Sequence, residues 1–180
     1  MILGLCGLAR SGKDSFFEFA KDYYHEKKIE CKRFAFADEL KKEIDDSLKS
    51  ELNISSFTDD PKEKEIIRPR LVYYGMKKRE ETKGYYWIGK LKNKVINYSE
   101  QGNVAIITDT RFENEIDWVN NANGISIYIS RQGNKAPNSE EKENDPIVKS
   151  KSSNIFDWMN FPEFPSIDAK NTVFNFLDLI

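Results

Sequence analysis

The chain has 180 residues, 39% of them hydrophobic and 32% charged, and its net charge is −2. That length supports one well-buried core, and so small a charge excess disfavours stable nucleic-acid binding, which needs a basic surface. A single globular domain is the expectation.

Residues 2–6, ILGLC, are continuously apolar and bounded by glycine, which predicts a short strand buried on both faces. The apolar start lacks a basic leader and meets Arg10 at once, so it does not read as a signal peptide. No stretch approaches the ~20 apolar residues that span a membrane, and a cytoplasmic protein without membrane partners is expected. After a loop over 7–12, Phe16, Phe17, Ala20, Tyr23 and Tyr24 recur at helical spacing and predict a helix from Lys13 to about His25. His25 is the single histidine and lies in the polar run KDYYHEKK, so neither a zinc cluster nor a Ser-His-Asp or Cys-His mechanism is expected. CKRFAF at 31–36 is a second strand; its Cys31, like Cys6 in the first, lacks Cys-x-x-Cys spacing and reads as a buried, reduced thiol. Asp38 is placed to cap a helix with Leu40, Ile44, Leu48 and Leu52 on its inner face.

A connector over 53–61 leads into 62–101, which reads as mostly helical with breaks near Gly75 and Gly84. This block carries Arg68, Arg70, Arg79, Tyr73, Tyr74, Tyr85, Tyr86 and Trp87. NVAIITD at 103–109 is a third buried strand ending in Asp109, FENEIDWVNNA continues as a helix toward Gly124, and ISIYIS at 125–130 is a fourth strand. Residues 131–153 are polar and read as a mobile loop or lid opened by Arg131. NTVFNFLDLI closes the chain as a helix with Phe174, Leu177 and Ile180 inward. Alternating strands and helices imply an α/β fold, a parallel sheet of about five strands with helices on both faces. Ligands on such sheets bind at the strands' carboxyl ends, where Gly7–Ser15, Asp38, Asp109 and Arg111 all fall on this reading.

Gly7, Gly12 and Lys13 make the G-x4-G-K spacing of a phosphate-binding loop, with Arg10 and Ser11 between the glycines. Backbone N–H groups turn inward around phosphate oxygens, the helix N-terminus adds partial positive charge, and Lys13 reaches the β- and γ-phosphates of ATP. Asp14 stands where the motif has Ser or Thr. Three readings are open: Asp14 binds Mg²⁺ directly or through water, Ser15 supplies the hydroxyl one residue late, or Asp14 caps the helix. VAIITD matches a strand whose terminal aspartate, Asp109, holds Mg²⁺ or its waters. Arg68, Arg70 and Arg79 are candidates to clamp the phosphate of a second substrate, against the plainer alternative of a solvated helical face. Trp87 and Tyr85 or Tyr86 are candidates to stack on a base, although aromatics at this spacing more often serve the core.

GLARSGKDS, FAFADELK, RPRLVYYGMKKREETKGYYWI and ITDTRFENEIDWV together resemble the phage-type deoxynucleoside monophosphate kinases, with a GKD-type loop, an F-A-D-x-L-K turn, an arginine-rich block ending in tryptophan and a D-x-R-F-x-x-E segment. The likeness covers much of residues 3–119 and makes Asp14 a family trait. It implies a P-loop kinase fold with a helical substrate-binding insertion at about 53–101 and a lid-like segment at about 131–153. It implies transfer of the γ-phosphoryl of ATP, with Mg²⁺, to a deoxynucleoside 5′-monophosphate, in the host cytoplasm if the chain is phage-encoded. On this resemblance Lys13 holds the transferring phosphate, Asp38 lies near the acceptor, and Arg70 and Arg79, with Arg68 beside them, bind the monophosphate. Asp109 and Arg111 organise metal and substrate, and Glu115 of the last segment belongs to the substrate site. Beyond residue 130 the likeness weakens, since the histidine expected just before Ser139 is absent; Arg131 is the candidate contact to the ATP side.

GKD-type loops also resemble those of phosphomevalonate kinases, which gives an alternative phosphorylated acceptor. A nucleotide-binding module without transfer is a further alternative. Small-molecule nucleotides are the expected partners, and a homodimer is left open.

Overall fold

The computed structural model describes residues 1–136, 139–158 and 167–180. Five strands, β1 (Ile2–Cys6), β2 (Cys31–Phe34), β3 (Val104–Thr110), β4 (Ile125–Ser130) and β5 (Asn154–Asp157), form one sheet in the order β2-β3-β1-β4-β5, and every pairing is parallel. The described residues also form seven helices: α1 (Lys13–Glu26), α2 (Phe36–Leu52), α3 (Pro61–Glu81), α4 (Tyr86–Glu100), α5 (Glu113–Asn121), α6 (Ser139–Lys151) and α7 (Ile167–Leu177). The expected five-stranded parallel sheet with helices on both faces is the one observed. None of these helices is long and apolar enough to cross a membrane.

Two compact units divide the chain, Met1–Phe34 with Lys94–Ile180, and Ala35–Asn93. In the first, the fully apolar β1 takes the centre of the sheet because it tolerates burial on both sides. Leu3 and Leu5 of β1 join Ile106, Ile127 and Ile129 under α1 and α7, where Phe16, Phe19, Ala20, Ala169, Val173 and Leu177 are buried. Phe156 and Trp158 complete this layer, with edge-to-face ring contacts of 5.0 Å between Phe16 and Phe156 and 4.6 Å between Phe156 and Trp158. Leu177 is inward as expected, while Phe174 and Ile180 pack on the core only partly buried. The opposite face is smaller: Cys6, Ile116, Tyr128 and Val148 bring β1, β4, α5 and α6 together.

β2 is an edge strand and ends at Phe34, two residues before the sequence reading placed its end; Lys32 and Arg33 are exposed and Cys31 is only half-buried. Burial nevertheless pushes the thiols of both Cys6 and Cys31 up to about 12, and both are free.

In the second unit α2 starts earlier than expected. Its N-cap is Ala35, without a side-chain cap bond, because the buried Phe36 already belongs to the helix. Asp38 is therefore not the cap; it lies inside the first turn, where its charge still suits the helix N-terminus. α3 begins on a capped turn, with the Asp60 carboxylate accepting from the N–H of Lys62 at 2.7 Å and Pro61 at the first helical position. It runs unbroken past Gly75. That glycine is a close approach and no break: a Cβ there would lie 2.6 Å from Leu40 Cδ1 of α2, and the Gly75 carbonyl accepts the Trp87 indole N–H at 3.2 Å. The break near Gly84 is present, between α3 and α4. Glu43 of α2 ties the three helices together, accepting from Tyr74 Oη at 2.7 Å and Tyr86 Oη at 2.6 Å and pairing with Lys90 at 3.0 Å. Burial alone would raise its pKa, but these donors hold it below the usual carboxylate range.

The polar stretch 131–153 contains α6, and β5 follows it; neither was read from the sequence. Residues 137 and 138 of the expected lid lie outside the described residues.

Candidate phosphate-binding site

From β1 the chain continues to β2 and β3 on one side and to β4 and β5 on the other, so the strand order reverses at β1. A crevice opens at the carboxyl end of such a strand, and there the loop Gly7–Gly12 lies. Its glycines are dictated by space as well as by backbone angle. Gly7 has φ +118° and a Cβ there would lie 2.3 Å from the Ile129 carbonyl oxygen of β4; Gly12 has φ +93° and a Cβ would lie 2.6 Å from Trp158 Nε1. Arg10 between them is exposed with φ 63°, and Ser11 is buried.

α1 starts at Lys13 with Gly12 as N-cap, and no side chain caps it. Asp14 is thus not the helix cap; it is exposed at the second helical position, where a carboxylate is favoured by the helix dipole. Ser15 next to it is half-buried. An N-terminus whose first-turn N–H groups are not taken by a capping side chain is a ready anion site. Lys13 is buried and arches back over its own loop, donating from Nζ to the carbonyl oxygens of Gly7 at 2.8 Å and Leu8 at 2.7 Å and to Ser11 Oγ at 3.4 Å. Its pKa is lowered by burial first and by the positive charge of Arg111 second, with Glu141 and Asp14 pulling it back up. Two cations and one loop thus converge here.

The register explains the convergence. Cys6 of β1 stands opposite Thr110 of β3, so Gly7 and Arg111 leave the sheet side by side. Asp109 is half-buried at the penultimate position of that strand. Glu115 is almost fully buried and accepts the backbone N–H of Arg111 at 2.9 Å and of Phe112 at 3.2 Å, so it fixes the turn that carries Arg111. Arg131 follows β4 at the same edge and is exposed.

Two side chains at this edge were not singled out from the sequence. Glu141 of α6 accepts the Ala9 backbone N–H at 2.9 Å through Oε2 and pairs through Oε1 with Arg111 Nη1 at 3.1 Å. Asn134 donates from Nδ2 to the Ala9 carbonyl at 3.0 Å. Glu141 sits in the acidic run SEEKEND, which looks like any solvated surface, and a backbone N–H carries no residue signature.

The remaining candidates lie in the helical unit. Arg68 and Arg70 on α3 are exposed, and Arg70 pairs with Glu51 of α2. Arg79 is half-buried and Asp38 half-buried. Trp87 is buried at 4% exposure beside Tyr74 and Tyr86, so its ring supports the packing of this unit. Between α2 and α3 a groove of about 340 Å³ is lined by Ile44, Leu48, Pro69, Arg70, Tyr73 and Tyr74.

Among the described residues no group of three or more His, Cys, Asp or Glu side chains is placed to cage a metal ion. Magnesium bound with a nucleotide needs no such cage, since phosphate and water supply most of its ligands.

Comparison with solved structures gives low identities. A shikimate kinase from Aquifex aeolicus vf5 is 17% identical, with 99% of this chain and 94% of that one covered and a TM-score of 0.47. A shikimate kinase from Bacteroides thetaiotaomicron is 12% identical, covering 99% and 96%, TM-score 0.49. A thymidylate kinase from Ehrlichia chaffeensis is 15% identical, covering 99% and 97%, TM-score 0.45. No curated protein matches. The model of the phosphomevalonate kinase family, by contrast, matches residues 5–124, from the middle of β1 through the glycine loop, the helical unit, Asp109 and Arg111 to the turn before β4. Because that match takes in two thirds of the sequence, including the whole loop-to-Arg111 edge of the sheet, the chain belongs to the phosphomevalonate kinase family and has the fold of a P-loop kinase.

Proposed function

We propose that the chain transfers the γ-phosphoryl group of ATP to the phosphate of a deoxynucleoside 5′-monophosphate, giving the diphosphate and ADP. The observation that carries a kinase reading is the meeting of Lys13, Arg111 and the loop N–H groups at the carboxyl end of β1 and β3. Two anionic substrates must be held in line while charge on the transferring group is neutralised, and no covalent intermediate is needed. In this reading Gly7, Arg10, Ser11, Gly12 and Lys13 receive the ATP phosphates, and Arg131 contacts the ATP side. Arg111, set by Glu115, faces the moving group. The helical unit supplies Asp38, Arg68, Arg70 and Arg79 for the acceptor. Trp87 holds the packing on which they stand.

The oxygen donors fit a hard cation: exposed Asp14, half-buried Ser15 and half-buried Asp109 are the residues proposed to hold Mg²⁺ or its waters. Bound with ATP, the ion supplies charge neutralisation on the phosphates. Asp14→Asn keeps the helix start and one oxygen but removes the negative charge of the ligand. A several-fold higher Mg²⁺ concentration for half-maximal rate, with an unchanged melting temperature, is expected; Ser15→Ala identifies the other ligand. An unaltered Mg²⁺ dependence in Asp14→Asn excludes it as a ligand.

A second reading, phosphomevalonate as acceptor, is favoured by the family match. What supports the nucleotide is the density of arginine and tyrosine on α3. ADP release measured across deoxynucleoside monophosphates, nucleoside monophosphates and phosphomevalonate separates the two. At least one deoxynucleoside monophosphate should raise the rate far above the acceptor-free level; turnover with phosphomevalonate alone would transfer the assignment to the second reading.

The arginines divide by kinetics. Arg70→Ala and Arg79→Ala should raise acceptor KM about ten-fold with kcat nearly unchanged, as for groups that bind acceptor phosphate equally in ground and transition states. Arg111→Ala should raise KM and lower kcat together. Wild-type constants in all three variants would remove these arginines from the acceptor site and return them to the solvated surface.

A further inference from the structure

Glu141 reaches into the loop with an acidic side chain. Its exposure is only 12%, and its two oxygens divide between the Ala9 backbone N–H at 2.9 Å and the Arg111 guanidinium at 3.1 Å. A surface ion pair has no need of a backbone donor from a phosphate loop. A mostly buried carboxylate does need compensation, and here the compensation comes from the kind of donor that phosphate uses: an N–H of the glycine loop and a guanidinium fork, with the Lys13 ammonium close enough to feel the charge. The space left among Gly7, Leu8, Arg111, Glu141, Asp145 and Val148 is about 10 Å³, room for at most one water molecule. A phosphate group does not fit beside the carboxylate.

We infer that Glu141 competes with a substrate phosphate for the Ala9 N–H and Arg111, so that the first part of α6 has to release the loop before a polyphosphate can seat there. The inference rests on reading this loop as a phosphate site.

The construction of α6 suits such a release. Its later part is anchored: Val148 is buried, and Lys151 pairs with Asp117 at 2.8 Å and Glu113 at 2.7 Å. Pro146 lies inside the helix and has no N–H, so the bond that would tie this position to the carbonyl of Lys142 is missing. Val148 and Lys151 lie beyond that weak point, whereas Glu141 precedes it by more than a turn, on the side where Tyr128 Oη donates to Asp145 at 2.7 Å. The displaced carboxylate carries one charge and the incoming triphosphate several, so the exchange favours polyphosphates over singly charged anions.

Calorimetric titration of inorganic tripolyphosphate and of ATP into the full chain tests this. Glu141→Gln keeps the shape and removes the charge, and Glu141→Ala removes both; each should bind tripolyphosphate and ATP about ten-fold more tightly than the unaltered protein, because the competent form no longer has to be won from the carboxylate. Equal or weaker binding in the variants would overturn the inference. A measurement on the unaltered protein guards against misfolded variants: amide exchange across 141–145 should speed up when tripolyphosphate binds, and unchanged or slower exchange there would also overturn it. Tripolyphosphate carries neither base nor acceptor, so tighter binding without transfer to any acceptor would leave this inference standing while removing the nucleotide kinase reading. ATP turnover without tighter binding in the variants would do the reverse.

Discussion

Lys13→Met should lower turnover by at least ~10³-fold while shifting the melting temperature by only a few degrees. A positioned charge on a transferring phosphate contributes several kcal/mol to the transition state, and each ~1.4 kcal/mol is ten-fold in rate. The structural cost is smaller. Met preserves the apolar stem of a side chain that is 9% exposed, and what disappears are the bonds from Nζ to the carbonyls of Gly7 and Leu8 and the longer one to Ser11 Oγ. Gly7 and Leu8 are half-buried, so water can replace the lost donor at their carbonyls at a cost of about 1 kcal/mol. That amounts to roughly 2–4 °C for a chain of this size. Near-normal turnover with a normal melting curve would remove Lys13 from the chemistry. A large loss of stability would show instead that the lysine is a structural strut of its loop.

Gly7→Ala has the opposite profile and should be the most destabilising single methyl in this loop. A side chain at φ +118° is strained wherever it sits, by about 1–3 kcal/mol. Here the added Cβ also lies 2.3 Å from a backbone oxygen of β4, which cannot rotate aside as a side chain can. Overpacking of that kind adds about 1–3 kcal/mol, so a total near 3–5 kcal/mol is expected. Gly12→Ala should cost less, because what its Cβ meets is the Trp158 side chain and its φ of +93° is closer to the left-handed region. Urea denaturation with an unchanged slope measures both. A Gly7→Ala protein within ~1 kcal/mol of the original would contradict the loop conformation, and a reversed order of the two variants would contradict the reason given for it.

What the sequence made legible follows from how much each element buries. β1, β3 and β4 are runs of adjacent apolar residues, and α1 repeats its aromatic residues at helical spacing, so each carries its own signal. β5 buries only Phe156 among its four residues, and in α6 Val148 is the buried position among the residues whose side chains are described; neither leaves a pattern that composition can reveal. Gly75 misleads for a different reason. A glycine reads as a helix breaker, whereas here it makes room for Leu40, a fact that lies on another helix. The early start of α2 comes from Phe36, whose burial draws it into the helix ahead of Asp38. The same division holds at the loop. Gly7, Gly12, Lys13, Asp109 and Arg111 sit in short local motifs, and sheet register brings the last two beside the first three. The contact between Ala9 and Glu141 joins residues 132 positions apart through a main-chain donor, and no local pattern encodes it.

The reaction proposed for this chain is transfer of the terminal phosphoryl group of ATP to an acceptor that already carries a phosphate. Incubating the protein with ATP labelled in its γ-phosphate and each deoxynucleoside monophosphate in turn, then separating the products, tests this without a coupling enzyme. The label should move into a deoxynucleoside diphosphate, one for each ADP formed, with little label in inorganic phosphate and none moved by Lys13→Met. ATP bound tightly by the unaltered protein, with label remaining in ATP or passing only to water for every monophosphate and for phosphomevalonate, would contradict the account and leave a nucleotide-binding module in its place.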